Sequence, residues 1–187
     1  MRLERMPPSV LDADQAALYG EITGGPRGQG PQHFALTAPD GSLNGPFNAL
    51  LLSPVLGRAL QGVGAAVRYQ TELSDREREI AILLVAAHWH SAFEQHAHES
   101  VGRSIGLTDD ELATLRRSEL PYLADEHERL CAEATLALLA GDLSDDEWEG
   151  IAVPLGNDTV FELTTLVGYY ATLALQLRVF RVTTEDD

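Results

Sequence analysis

The sequence of 187 residues predicts a single all-α domain spanning residues 1–187. Few of its segments alternate polar and apolar residues with the period of two that a half-buried strand requires. Its long apolar stretches are instead rich in Ala and Leu, and several helix starts carry recognisable capping residues. These three observations favour helices over strands along most of the chain.

The predicted helices follow one another in chain order. A short one lies near residues 11–22, and Ser53 followed by Pro54 opens a second that runs to about residue 68. Three more starts carry a capping box, in which a Ser or Thr and the Glu three residues later exchange hydrogen bonds with the backbone. The pairs are Ser74 with Glu77, Thr108 with Glu111, and Ser144 with Glu147.

The second half of the chain adds two longer helices. One spans about residues 125–140, and Asn157 or Asp158 caps a final helix that runs to about residue 179. Gly106 and Gly141 lie where helices should stop. Because the final helix is apolar almost all round, it is either central or buried between subunits. We expect subunit association, since a monomer of this size has little interior to offer.

One segment, residues 24–48, is interrupted by Gly and Pro too often for a regular element. A loop of this length in a compact domain is functional or a linker. Phe34, Leu36, Leu43 and Phe47 give it apolar anchors, so we expect it to pack on the surface.

Composition excludes several classes of protein. The net charge of -16 argues against nucleic acid, because a phosphate-binding surface needs an excess of Lys and Arg. The single cysteine, Cys131, excludes an intrachain disulfide framework, and it reads as a small buried residue in a helix. The first ten residues lack the apolar region of a signal peptide, and no run approaches the length of a membrane span. We expect a cytoplasmic protein that binds neither nucleic acid nor membrane.

The residues that carry chemistry lie in the segment EIAILLVAAHWHSAFEQHAH, which reads helical on both sides of a possible break. It contains Glu79, His90, Glu94 and His98. On one continuous helix of about 3.6 residues per turn, all four would lie on one narrow stripe. Carboxylates beside imidazoles can exchange protons near neutral pH or hold a metal ion. A surface helix with ordinary i,i+4 pairs and a first-turn acid at Glu79 remains the alternative.

A metal site on His90, Glu94 and His98 would need a fourth ligand that the segment does not offer clearly. Their spacing is also less specific than the His-Glu-x-x-His motif of zinc enzymes. We therefore expect no metal and no cofactor, and we keep the metal-dependent enzyme as an alternative. His33 and His127 show no local partner in the sequence.

The run LSDREREIAILLVAAHWHSAFEQHAHESVGRSIGLTDDEL resembles the core of the carboxymuconolactone decarboxylase and alkylhydroperoxidase D-like superfamily. The segments PDGSLNGPFNALLLSPVLGRALQGVGAAVRYQTELS and LGNDTVFELTTLVGYYATLALQLRVF are similar to its decarboxylase-like branch, so the resemblance covers about residues 25–180. It implies an antiparallel helical bundle, in this chain about 7–8 helices with the long Gly/Pro-rich loop near the N-terminus. It also implies a homotrimer or homohexamer with active sites near subunit contacts.

The resemblance further implies which positions carry the chemistry. The two cysteine positions of the peroxidase branch fall on Ser91 and Glu94, its His on His98, and its supporting Glu on Glu79. Thiol peroxidation needs a thiolate that attacks the peroxide and a thiol that resolves it, and neither position supplies one. A thiol peroxidase activity is therefore disfavoured.

The decarboxylase branch needs no cysteine and no cofactor, and it acts on a small carboxylated or lactone-type metabolite. We expect His98 to deliver or relay the proton, Glu79 and Glu94 to orient it, and His90 to assist. A cation should bind the substrate carboxylate, and the candidates are Arg27, Arg58, Arg68 and Arg76. Besides the metal-dependent enzyme, a non-catalytic oligomeric binding protein remains an alternative.

Overall fold

Helices provide almost all the regular structure of the computed structural model, which describes residues 2–29 and 34–182. The all-α prediction is therefore confirmed. Within these ranges, β-type pairing is limited to an isolated antiparallel bridge between Thr37 and Leu43. The helices are α1 (Ala13–Gly24), α2 (Pro26–Gln29), α3 (Phe47–Leu50), α4 (Pro54–Tyr69), α5 (Asp75–His88), α6 (Ala92–Ser104), α7 (Asp109–Leu115), α8 (Glu126–Ala140), α9 (Asp145–Glu147), α10 (Val153–Leu155) and α11 (Asn157–Phe180). A 3-10 turn at Pro8–Val10 and a π-helical turn at Trp148–Ala152 complete them.

The three predicted capping boxes are all present, with both reciprocal hydrogen bonds formed at the starts of α5, α7 and α9. Two other predicted caps differ in outcome. Ser53 occupies the N-cap position of α4 and Pro54 the first helical position, as predicted, but the Ser53 side chain makes no capping bond. The predicted cap of the final helix is wrong. Asn157 is already the first residue of α11, and Gly156 makes the preceding turn with a φ of 83°, which favours glycine.

The core forms around α5, whose residues from Ile80 to Ala87 are all buried. One side of α5 packs with α4, α8 and α11 in a large apolar cluster that contains Val85, Leu163 and Leu166. Its other side packs with α7 and α8 through Leu83 and Leu112. Because α5 is buried from Glu77 to Ala87, a charged residue in this part of the helix must find its partners inside the protein.

The final helix, α11, passes through this core. By length and composition it is the one helix in the described residues that could cross a membrane, but half of its most apolar window is buried inside the protein. Leu163, Leu166 and Leu173 face the core. Phe161 and Val179 remain exposed, so the predicted association with other subunits stays a prediction.

The segment 24–48 is only partly irregular. The expectation of no helix there is wrong at α2, where Pro26 suits the first position of a short helix, and α3 already begins at Phe47. Residues 30–33, which include His33, lie outside the described residues. The apolar anchors behave as predicted, since Leu36, Leu43 and Phe47 pack in a cluster with α1.

Close approach of α4 to α3 depends on Gly57. A Cβ at this position would lie 2.2 Å from the backbone oxygen of Leu50 and 2.9 Å from Leu18. We predict that Gly57→Ala lowers the free energy of unfolding by about 1–3 kcal/mol, because a backbone atom cannot move aside easily. Urea denaturation followed by circular dichroism measures this change.

Gly62 is the matched control in the same helix, since a Cβ there meets nothing within 4 Å. Gly62→Ala should raise the free energy of unfolding by about 0.5–1 kcal/mol through the better helix propensity of Ala. Equal effects of the two substitutions would contradict the packing of α4 on α3.

Candidate active site

The candidate site depends on a reversal of the chain between α5 and α6. α5 ends at His88, and His90 adopts a left-handed backbone with a φ of 52°. The Ser91 amide donates to the Ala86 oxygen at 2.9 Å, and α6 then packs back along α5. Arg178 of α11 donates to the Trp89 oxygen at 3.1 Å and holds this turn in place.

This reversal corrects the expectation of one stripe on a continuous helix. Glu79 and His98 do meet, but they meet across two packed helices, from positions on either side of the turn. His90 lies in the turn itself and is exposed, so it does not share the buried side of Glu79, Glu94 and His98.

Glu79 and His98 form a buried pair. His98 Nδ1 lies 2.6 Å from Glu79 Oε2, and the two residues are 8% and 2% exposed, respectively. Arg68 of α4 donates from Nη1 to Glu79 Oε1 at 3.3 Å. Burial would raise the pKa of Glu79, but His98, Arg68 and Arg78 together outweigh it and lower that pKa. Glu79 is therefore an ionised carboxylate in the interior.

Glu94 is the opposite case. It is 3% exposed, and neither of its carboxyl oxygens has a hydrogen-bond partner among the described residues. Burial raises its pKa to about 8, although the nearby Ser91 hydroxyl acts to lower it. At neutral pH Glu94 is therefore an uncharged carboxylic acid that can donate a proton.

The role expected for Glu94 as an orienter of His98 is consequently wrong. Glu94 lies four residues before His98 on α6, but it makes no hydrogen bond to the ring. Glu79 takes that role, since it occupies His98 Nδ1 and leaves Nε2 for other partners.

Glu94 and His98 line a cavity of about 70 Å³, which is large enough for several water molecules, and Glu79 is connected to it through His98. Its polar residues are Arg27, Arg68, Glu94, His98, Tyr69, Tyr169 and Tyr170. Its apolar wall includes Phe34 and Phe47 from the N-terminal segment and Phe93 from α6. The cavity thus combines two guanidinium groups, one neutral acid and one imidazole with aromatic faces.

Two glycines allow side chains of the cavity wall to pack directly against the backbone. A Cβ at Gly64 of α4 would lie 2.1 Å from the Tyr169 hydroxyl and 2.8 Å from Arg27. Gly45 has a φ of 59°, and a Cβ there would lie 2.4 Å from the ring of Phe93. Arg27 stacks over Phe47 at 5.1 Å and donates from Nε to Gln61 at 3.1 Å, which fixes its position at the cavity.

Of the four arginines predicted to bind substrate, the structure brings two to the cavity. Arg27 and Arg68 line it. The expectation fails for Arg58, which is bound to Glu21 on the surface at 2.9 Å. It fails also for Arg76, which is held by Glu128 and Glu111 on another side of the protein.

The metal alternative on His90, Glu94 and His98 is likewise not assembled. These three do not form a cluster of ligand atoms in the described ranges, because His90 points out from the turn while the other two are buried.

Sequence reasoning missed Tyr169 and Tyr170. His98 and Tyr170 rings pack edge to face with centroids 5.3 Å apart, and burial raises the pKa of both tyrosines. Adjacent tyrosines in an otherwise apolar helix were the available signal, because a buried hydroxyl needs a polar neighbour. Their position at the cavity depends on how α11 packs, which spacing along the chain does not reveal.

Residues 54–137 match the sequence profile of the Carboxymuconolactone decarboxylase family. This match confirms the resemblance stated from the sequence and supports the assignment of the chain to that superfamily. It covers α4 to most of α8, which includes Arg68, Glu79, Glu94 and His98. A comparison with curated proteins finds no match of significance.

We predict that the raised pKa of Glu94 makes stability depend on pH. Between its ordinary value of 4.5 and about 8, the folded protein keeps a proton that the unfolded chain loses. The free energy of unfolding should therefore fall as pH rises across this window, by up to about 1.4 kcal/mol per pH unit from this group. Glu94→Gln should remove that contribution, as measured by urea denaturation at pH 5 and pH 8.

The exposed Glu149 supplies the control, since Glu149→Gln should leave the pH dependence of stability as it is in the unaltered protein. A Glu94→Gln variant whose stability changes with pH as in the unaltered protein would refute the neutral state of Glu94.

Proposed function

Because residues 54–137 match the carboxymuconolactone decarboxylase family, we propose that the protein is a cofactor-free acid/base enzyme that decarboxylates a small carboxylated or lactone-type metabolite. The observation that carries this proposal is the convergence of the Glu79–His98 pair, the neutral Glu94 and two arginines on one cavity. Such a set can bind an anion and move protons without a metal.

Arg27 and Arg68 bind the substrate carboxylates in this proposal. A guanidinium carries five N–H donors in a planar fork, so Arg68, which donates to Glu79 and also interacts with the Tyr170 hydroxyl, keeps donors for a ligand. The aromatic rings of Phe34, Phe47 and Phe93 suit the flat, partly apolar body of an unsaturated lactone.

Decarboxylation breaks the bond between the substrate carbon and its carboxylate. Carbon dioxide leaves, and the electron pair of that bond passes into an extended enolate. Glu94 donates a hydrogen bond to the enolate oxygen, as an uncharged carboxylic acid can. His98 then delivers a proton from Nε2 to carbon, and Glu79 stabilises the positive charge that the ring carries before the transfer.

The alternatives have weaker support. A binding protein without catalysis gives no reason to keep an unpartnered carboxyl group in the interior, where it costs stability. For a thiol peroxidase, Ser91 and Glu94 offer no thiol, and Cys131 lies on α8, outside the residues that line the cavity.

We further propose that the protein is a cytoplasmic homotrimer or homohexamer. Several apolar side chains on α4 and α11, among them Val55, Leu56 and Phe161, are exposed, and contact with a second copy would bury them.

We predict that His98→Asn lowers kcat for decarboxylation by about 10²–10⁴-fold, because the proton donor is lost while the shape of the side chain is nearly kept. The assay measures release of carbon dioxide from a panel of carboxylated lactones and keto acids. His88→Asn, at an exposed position at the end of α5, is the control and should be as active as the unaltered protein. Full activity of a folded His98→Asn variant would rule out the assigned role.

We also predict that Arg27→Met raises KM about 10–100-fold, since it removes a charged hydrogen bond to the substrate carboxylate. Arg58→Met is the control, because Arg58 pairs with Glu21 away from the cavity. If both variants keep the KM of the unaltered protein on an active substrate, Arg27 does not bind the carboxylate.

A further inference from the structure

A second cluster of ligand-type side chains lies away from the cavity, between α5 and α8. Glu77, His127 and Cys131 each turn one ligand atom toward a common point, and these atoms all lie within 4.8 Å of one another. His127 Nδ1 is 2.5 Å from Glu77 Oε1 and 3.7 Å from Cys131 Sγ. From these contacts we propose that Glu77, His127 and Cys131 form a binding site for a divalent transition-metal ion of the zinc type.

Local structure holds these three atoms in place before any ion binds. His127 and Cys131 lie four residues apart on α8, so their side chains share one face of that helix. Glu77 is fixed by the capping box of α5, in which the Ser74 amide donates to Glu77 Oε2 at 2.7 Å. That bond leaves Oε1 as the oxygen that faces His127.

The two distances from His127 can be compared with those around a tetrahedral ion. With zinc bonds of about 2.3 Å to sulfur and about 2.0–2.1 Å to nitrogen, those two ligands stand about 3.6 Å apart. The 3.7 Å between Cys131 Sγ and His127 Nδ1 matches this separation. The contact between His127 and Glu77 must open to about 3.4 Å. His127 can make that movement, because nearly half of its side chain is exposed.

The charges favour a divalent cation as well. Burial and the neighbouring Glu77, Asp125 and Glu128 raise the pKa of Cys131 to about 12, so the thiol keeps its proton in the absence of an ion. An ion that displaces this proton to solvent gains a thiolate and a carboxylate, and the two negative charges neutralise it. Mixed sulfur, nitrogen and oxygen ligands select zinc-type ions over magnesium or calcium.

The cluster in the described residues has three ligand atoms, and nearly half of the His127 side chain is exposed, so solvent can reach the ion. Water fills the fourth position in sites with three protein ligands. The site is independent of the proposed decarboxylation, because none of its residues lines the cavity.

The test uses cobalt(II) as a spectroscopic substitute for zinc, added to the full-length, thiol-reduced protein. We expect one equivalent to bind with a charge-transfer absorption band, which only a cobalt–thiolate bond produces. Zinc should displace the cobalt and abolish the band. Cys131→Ser, which nearly conserves volume, should remove the band, and His127→Asn should weaken cobalt binding at least tenfold.

His98→Asn is the control, because it alters the cavity and should leave the cobalt spectrum intact. Circular dichroism shows whether each variant is folded. If the folded, reduced protein binds cobalt without the charge-transfer band, or binds none, the site does not exist. A band that survives in Cys131→Ser would overturn the proposal equally.

Discussion

The ionised carboxylate of Glu79, on a helix enclosed by protein, is the constraint on which the site depends. A buried charge is tolerated only beside opposite charge and hydrogen-bond donors. Glu79 obtains them from Arg68 on α4 and His98 on α6, so this one side chain ties three helices together. The reversal at His90 is what allows it, because only a helix that packs back on α5 can return an imidazole to the level of Glu79. The packing of α4, α5 and α6 and the ionised state of Glu79 therefore depend on each other.

The two glutamates of the site show how the surroundings give one residue type two functions. Glu79 is charged because its neighbours are cationic, whereas neither oxygen of Glu94 has a partner among the described residues and burial keeps it protonated near neutral pH. An ionised group can stabilise an imidazolium, and a neutral one can donate a hydrogen bond to a developing enolate. In the proposed mechanism Glu79 therefore stabilises charge on His98, and Glu94 donates a hydrogen bond to the enolate. The cluster of Glu77, His127 and Cys131 lies elsewhere and has no part in this chemistry.

The sequence predicted the fold well, since a helix start such as that at Ser74 and Glu77 is determined by residues only a few positions apart. The family resemblance placed Glu79 and His98 in one site, and the structure brings them into contact. The second ground, a shared stripe on one continuous helix, is wrong, because the possible break in the segment is a reversal of the chain. Sequence reasoning placed His90 and Arg76 in the site because their residue types suited it, but a turn and two carboxylates hold them elsewhere. The place of Tyr169 at the cavity and the contact of His127 with Glu77 were not predictable, because they arise where distant helices pack. The contact of His127 with Cys131 is an i,i+4 pair on α8, so the expectation that His127 has no local partner is wrong. The single domain of residues 1–187 and the oligomeric state stay predictions.

The central claim is that one glutamate of the site is ionised and the other protonated in the same folded protein at neutral pH. Infrared difference spectroscopy during a pH titration measures this directly, because a protonated carboxyl group has a carbonyl stretching band that a carboxylate lacks. The account predicts such a band at pH 7, its loss as pH rises through about 8, and its absence from Glu94→Gln but not from Glu79→Gln. A folded protein without this band at pH 7, or with a band that Glu94→Gln leaves in place, would contradict it.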